Sequence, residues 1–252
     1  MFTKAIVKRP AKTFANGITT SNLGKPDYTL ALKQHDAYCD ALIRCGLELT
    51  ILEAYPNFPD SCFVEDTAVV TKKFGVITRP GDKSRLGETE AIEEILNPLL
   101  KLHYIEKPGT LDGGDIMQAD HKFYIGLSDR TNLEGAKQLS KILEDYHYDV
   151  YTIPVCNMLH FKTGVNYLGD KNIILHESFR SVNDLSSYHQ IIVEPDEEYA
   201  ANALRVNNFV LVPSGFPKTK AAIENLGYKT IELELSEFQK MDGGLSCLSL
   251  RF

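Results

Sequence analysis

The chain contains no tryptophan and only four methionines in 252 residues. Its five cysteines, Cys39, Cys45, Cys62, Cys156 and Cys247, are odd in number and include no Cys-x-x-Cys pair. Neither a disulfide framework nor a structural zinc cluster is therefore expected, and the composition reads as a reduced, cytoplasmic protein. No apolar run approaches the roughly 20 residues that cross a bilayer, so no membrane span is expected. The opening Met1-Phe2-Thr3-Lys4-Ala5-Ile6-Val7-Lys8-Arg9-Pro10 is too short and too charged for a signal peptide. Basic runs are also missing and the net charge is −7. The overall field thus disfavours nucleic acid. No low-complexity tract or Gly/Pro/Ser-rich linker divides the chain, so residues 1–252 are read as one domain. Hydrophobic residues at 43% and charged residues at 24% are ordinary globular values.

What is present is a repeat of roughly 40 to 50 residues, a period that points to radial or solenoid architectures. Each unit reads strand, turn, strand, then a helix and a return strand. The first has Thr67 to Val70, Gly75 to Thr78 and a helix from Glu88 to Leu102. The second has Asp115 to Gln118, Phe123 to Gly126, a helix from about Thr131 and a strand from Val150 to Ile153. The third has Gly164 to Leu168, Asn172 to Leu175 and only a weak helix between Ser178 and Gln190. The fourth has Ala203 to Val206, Phe209 to Val212, a helix from Lys218 to Leu226 and a strand from Thr230 to Leu235. The fifth is split across the termini. A strand from Ser246 to Phe252 partners Lys4 to Lys8, followed by a helix from Asp27 to Cys45 and a strand from Leu47 to Leu52. Five ββαβ units with both termini in one unit predict a closed, five-bladed α/β propeller around a central cleft.

The residues that carry chemistry sit where each unit begins. Met241-Asp242-Gly243-Gly244-Leu245-Ser246-Cys247 places a cysteine after a glycine-rich turn, at the start of the last expected strand. Thr110-Leu111-Asp112-Gly113-Gly114-Asp115 repeats the Asp-Gly-Gly turn. It offers either a tight-turn cap or an aspartate that orients a histidine. Leu159-His160-Phe161-Lys162-Thr163-Gly164 supplies that histidine at an equivalent place. Asp60, Glu65 and Asp66 precede a buried strand. Carboxylates without local cations want a cationic ligand or a metal, and the lack of nearby histidines favours the cation. Arg85 and Arg130 each follow a second strand and suit a carboxylate ligand. The pattern describes a ligand with a carboxylate at one end and a cation at the other.

In this order and spacing the chain resembles the dimethylarginine dimethylaminohydrolases, guanidino-modifying enzymes of the pentein superfamily. The resemblance spans essentially the whole chain. Its motifs include Leu23-Gly24-Lys25-Pro26-Asp27-Tyr28, Phe58-Pro59-Asp60-Ser61, Ile77-Thr78-Arg79-Pro80-Gly81 and Arg130-Thr131-Asn132, besides the histidine and cysteine segments. It implies that Cys247 is the nucleophile, His160 the proton donor and Asp112 the carboxylate that supports the histidine. It further implies that Asp60, Glu65 and Asp66 contact substrate, the last two at its guanidinium. Arg85 and Arg130 would grip the α-carboxylate. The backbone carbonyls of Ile18 and Met241 would accept the α-amino group, with Asp242 bordering the pocket. Two positions depart from the family pattern. Asp112 has a shorter arm than the Glu of some bacterial members, and Leu86 replaces a second arginine.

The implied reaction is hydrolysis of an Nω-methylated L-arginine to L-citrulline and an alkylamine, through a covalent S-alkylthiouronium. It needs no metal or organic cofactor, although zinc is a conceivable inhibitor through Cys247 and His160. The rival readings are a related enzyme acting on arginine, citrulline or another guanidino compound, and a non-catalytic amino-acid-binding ring. The expected partner is a small-molecule substrate, and a homodimer is the expected assembly.

Overall fold

The computed structural model describes residues 1–252. The chain runs through β1 (Lys4–Lys8), α1 (Tyr28–Arg44) and β2 (Glu48–Leu52). It continues through β3 (Ala68–Val70), β4 (Phe74–Ile77), α2 (Glu90–Leu96) and β5 (Lys101–Tyr104). The next unit holds β6 (Ile116–Ala119), β7 (Lys122–Leu127), α3 (Leu133–Asp145) and β8 (Asp149–Pro154). A short α4 (Phe161–Gly164) leads into β9 (Val165–Gly169), β10 (Asn172–Leu175) and β11 (His189–Ile192). Then come β12 (Leu204–Val206), β13 (Phe209–Pro213), α5 (Pro217–Asn225) and β14 (Lys229–Leu233). The short α6 (Ser236–Gln239) and β15 (Leu250–Arg251) complete the chain.

The strands form five three-stranded sheets of one design. An inner strand pairs antiparallel with a middle strand, which pairs parallel with an outer strand. The inner strands β3, β6, β9, β12 and β15 line the centre, with β15 against β3, β6 against β9 and β9 against β12. This is a five-fold pseudo-symmetric α/β propeller, closed by the pairing of β15 with β1.

Local chemistry accounts for the elements. Asp27 and Asn132 cap α1 and α3 by accepting the amides of Leu30 at 2.9 Å and Gly135 at 2.8 Å. Asp170 and Lys171, both with positive φ, make the tight turn that aligns β9 with β10. The largest apolar cluster lies between α1 and the last two sheets. There Phe238 packs against Phe14 (tilted) and Phe63 (edge to face) with ring centroids 5.4 and 6.3 Å away.

The structure shortens three expected elements. The helix expected from Glu88 to Leu102 spans only Glu90–Leu96, preceded by a 3-10 segment at Lys83–Thr89. Leu99, which continues the helical spacing of the apolar Ile92, Ile95 and Leu96, is exposed. Ser178 to Gln190 forms two 3-10 turns, Glu177–Phe179 and Asn183–Leu185, not a helix. Serine, asparagine and aspartate there compete with helical hydrogen bonds, as where Ser186 Oγ donates to Asn183 O at 2.6 Å. Cys247 does not open a strand. It lies in a 3-10 turn, Ser246–Leu248, and the strand shrinks to Leu250–Arg251. Bonds from Ser246 N to Asn202 Oδ1 at 2.9 Å and from Cys247 N to Gly244 O at 3.2 Å hold that turn.

One feature of the ring positions the site. A short helical turn precedes every inner strand: Val64–Thr67, Gly113–Asp115, Phe161–Gly164, Glu198–Ala201 and Ser246–Leu248. Such turns break strand alternation and aim side chains along the axis of the ring.

Candidate active site

Four of these turns deliver the residues singled out in the sequence. Glu65 and Asp66 lie within the first, and Asp112 and His160 stand immediately before the second and third. Cys247 lies within the fifth. A small central cavity of about 30 Å³ collects Cys247, His160, Asp66 and Asp60 on its walls. Arg85, Arg130, Ile18, Met241 and Asp242 complete its lining. Nine of the eleven expected site residues thus meet at one cavity. Cys247 also faces an outer chamber of about 500 Å³.

Asp112 is one of the two that stand outside this lining. It is fully buried behind His160, with Oδ2 2.9 Å from Nε2. Its other oxygen accepts the Gly81 amide at 2.8 Å. The short aspartate arm therefore reaches the ring. Asp66 Oδ1 lies 3.8 Å from the same Nε2 and accepts the Gly114 amide at 2.9 Å. Gly114 is required for this crowding, because a Cβ there would fall 2.8 Å from both Asp66 Oδ1 and the imidazole. Burial would depress the His160 pKa, but Asp66, Asp112 and Asp115 outweigh it and raise it to about 9. The ring is thus an imidazolium at neutral pH, and Nδ1 is its nitrogen without a protein partner. Asp66, Asp112 and His160 also bring one possible metal-ligand atom each within 4.8 Å of one another. In this structure those atoms are engaged with each other and with backbone amides.

Burial pushes the Cys247 thiol up to about 12, and the charges of Glu65 and Asp66 push the same way. The Gly244 amide, 3.4 Å from Sγ, and Lys162 oppose them. The isolated site therefore holds a protonated thiol. A cation beside the two carboxylates would cancel the charges that disfavour thiolate.

Glu65 is the second residue outside the cavity lining. It faces a cavity of about 160 Å³ together with Lys162 and Arg251. Its Oε1 takes Lys162 Nζ at 2.7 Å and Arg251 Nη2 at 2.9 Å, while its buried Oε2 has no partner.

The two arginines differ from the symmetric clamp expected from sequence. Arg85 is buried, with Nε and Nη2 donating to Glu88 Oε2 at 3.0 and 2.8 Å. Its Nη1 donates to Asp66 Oδ2 at 2.6 Å. Its fork is already taken by carboxylates. Arg130 has one long contact, 3.4 Å to Asp82, and is the freer cation. Asp60 and Asp242 likewise have structural duties. Asp60 accepts the Ile18 amide at 3.1 Å, and Asp242 accepts the Thr20 amide at 2.6 Å. Together they pin the loop that roofs the cavity.

Sequence reasoning missed Glu88, Asp115, Asn202 and Arg251. Asp115 accepts the Phe161 amide at 2.9 Å beside His160. Asn202 donates to Lys162 O at 2.8 Å and to Ser246 Oγ at 3.1 Å, joining the turns of His160 and Cys247. Asp115 alone carried a signal, as the final residue of its Asp-Gly-Gly-Asp run.

Comparison with known proteins agrees with this geometry. Residues 19–247 match the family model described as N,N dimethylarginine dimethylhydrolase, eukaryotic. The chain belongs to the dimethylarginine dimethylaminohydrolase family. It is 45% identical over 254 residues to the N(G),N(G)-dimethylarginine dimethylaminohydrolase of Pseudomonas aeruginosa, covering 100% of both chains. It is 36% identical to the protein of that name from Streptomyces coelicolor, covering 98% of this chain and 96% of the other. A solved Pseudomonas aeruginosa structure, a cysteine-to-serine mutant complexed with citrulline, superposes with a TM-score of 0.99 at 44% identity over 100% of both chains. The N-terminal domain of an arginine dihydrolase, ArgZ, shares the fold at a TM-score of 0.88 and 18% identity, covering 100% of this chain and 97% of that one.

Proposed function

We propose that this member of the dimethylarginine dimethylaminohydrolase family hydrolyses Nω-methylated L-arginine to L-citrulline and methylamine or dimethylamine. The observation that carries the reading is the convergence of Cys247, a charged His160 and Asp66 on one cavity, with the charge of Glu65 also felt at the sulfur. A relative complexed with citrulline, the product named here, supports it.

A guanidinium stays charged at neutral pH and is a poor electrophile. Asp66 and Glu65 hold that charge and fix its plane. Their own charges are then compensated, and Cys247 releases its proton to solvent. The thiolate attacks the guanidinium carbon and forms a tetrahedral adduct. His160 donates its proton to the substituted nitrogen. The C–N bond breaks with its electron pair leaving on the amine, and an S-alkylthiouronium remains. Neutral His160 next takes a proton from water as the oxygen attacks the same carbon. The C–S bond breaks with its electron pair leaving on sulfur, the remaining O–H proton passes to the thiolate, and citrulline departs with Cys247 restored as thiol. Arg130 receives the substrate α-carboxylate, and the charge of Arg85, held by Glu88 and Asp66, lies on the same cavity wall. The carbonyls of Ile18 and Met241 receive its α-ammonium, bordered by Asp60 and Asp242.

All five cysteines are unpaired, in keeping with a reducing, cytoplasmic setting, and a homodimer is the assembly we expect. The test is citrulline release from purified protein with asymmetric dimethylarginine, monomethylarginine and arginine. Higher kcat/KM for the methylated substrates, with methylamine or dimethylamine as co-product, supports the reading. Preference for arginine with release of ammonia replaces it with a deiminase.

A further inference from the structure

Glu65 is held unevenly, and Arg251 is half of the reason. Its Oε1 is saturated by Lys162 at 2.7 Å and Arg251 at 2.9 Å, and its Oε2 is buried without a protein partner. The ion pairs are shielded: the Lys162, Arg251 and Glu65 side chains are only 13%, 12% and 4% exposed. A carboxylate fixed through one oxygen presents the other in one direction only.

Arg251 is itself fixed. While Nη2 bonds Glu65, Nη1 donates to Ser246 O at 3.2 Å, Ser249 O at 2.6 Å and Ser249 Oγ at 2.7 Å. Ser249 Oγ also meets Tyr38 Oη at 2.6 Å, and Tyr38 donates to Leu245 O at 2.8 Å. Because the Tyr38 proton goes to Leu245 and Ser249 Oγ accepts from Arg251, the Ser249 hydroxyl proton points to Tyr38. The donors and acceptors of this buried chain are mutually consistent. Ser246 and Leu245 flank the nucleophile. One guanidinium therefore ties the turn that carries Cys247 to the Glu65 carboxylate. β15 anchors it in the sheet, with Arg251 opposite Ala5 of β1.

We propose that Arg251 is a positioning residue that sets Glu65 Oε2 relative to Cys247 Sγ, and so the plane in which a guanidinium meets the sulfur. The proposal rests on the reading that Glu65 receives the substrate guanidinium. It differs from a simple charge effect in sign. A nearby cation repels the substrate, so if charge were its only contribution, removing it would lower KM and leave kcat alone. Loss of positioning instead lowers kcat, because misplacement by about 1 Å costs on the order of 100-fold.

The experiment compares wild-type protein with Arg251→Gln for citrulline release from monomethylarginine and for alkylation of Cys247 by iodoacetamide. Iodoacetamide is neutral and needs no help from Glu65. The expected result is a kcat lower by about 100-fold, a KM within about threefold and an alkylation rate that falls far less than kcat, since the unpaired Glu65 charge only raises the Cys247 thiol further. Wild-type kcat, a lower KM alone, or an equal loss of alkylation overturns the proposal. If Arg251→Gln does not fold, Ser249→Ala decides. It keeps the charge and loosens the grip, so a reduced kcat at constant KM is expected and a wild-type kcat overturns the proposal. Wild-type protein that releases no citrulline identifies the substrate reading as the failure, and the proposal falls with it.

Discussion

Oδ2 of Asp112 lies 2.9 Å from Nε2 of His160, and the same carboxylate is anchored by the Gly81 amide at 2.8 Å. Both partners are buried, so the pair acts with little solvent screening. The aspartate orients the ring and favours its charged form. Asp112→Asn keeps the shape but removes the charge. We expect kcat for citrulline release to fall by about 100-fold or more, in the range of general acid–base contributions. The His160 titration midpoint, read by NMR, should drop below about 9 in the variant. An unchanged midpoint would contradict the assignment of Asp112.

The same ring links stability to pH. The folded value of about 9 lies above the ordinary histidine value of 6.5. Protonated His160 therefore contributes its full stabilisation below pH 6.5 and loses it as pH rises through about 9. The urea midpoint of wild-type protein should decline across that window, and His160→Gln should flatten the decline. Parallel curves for the two proteins would refute it.

Cys247 should be a slow nucleophile in the free protein. Its thiol is pushed up to about 12 by burial and by Glu65 and Asp66. Alkylation by iodoacetamide should therefore be slow at pH 7 and keep rising to pH 10 without a plateau. Lowering the negative charge with Asp66→Asn should accelerate it. A plateau near pH 8 would show an ordinary thiol.

Gly114 is a geometric requirement of the site. A methyl group there would lie 2.8 Å from Asp66 Oδ1 and from the His160 ring. Gly114→Ala must displace one of them, and a shift of that size costs on the order of 100-fold in kcat. Activity at wild-type level would mean that the two side chains can move apart without consequence.

Phe238 tests the packing behind the site. It is fully buried and contacts both Phe14 and Phe63, at centroid distances of 5.4 and 6.3 Å. Phe238→Ala should destabilise the fold by about 3–5 kcal/mol in chemical denaturation. A loss below about 1 kcal/mol would show that the cluster collapses around the gap.

The repeat was legible because each unit writes its own hydrophobic pattern. Short apolar runs such as Val69-Val70 and Phe123-Tyr124-Ile125 mark strands locally. The Cys247 strand was misread for a physical reason. Leu248, Leu250 and Phe252 alternate as a strand does, but a bond from Ser246 to Asn202, 44 residues away, holds the first of them in a turn. The Lys83–Thr89 segment is similar. It is shaped by Arg85, whose guanidinium is drawn inward by Asp66 and Glu88.

Residue identity alone determined the five-unit period, the caps and the positions of Cys247, His160 and the acidic cluster. Those features depend on neighbours a few residues apart. The tertiary structure decided which oxygen of Glu65 is left without a partner. It also decided that the Arg85 fork is occupied and that Arg251 reaches Glu65 across 186 positions of chain. Hydrogen bonds between distant turns depend on how five blades close into a ring. No local pattern encodes which donor arrives first at a shared carboxylate.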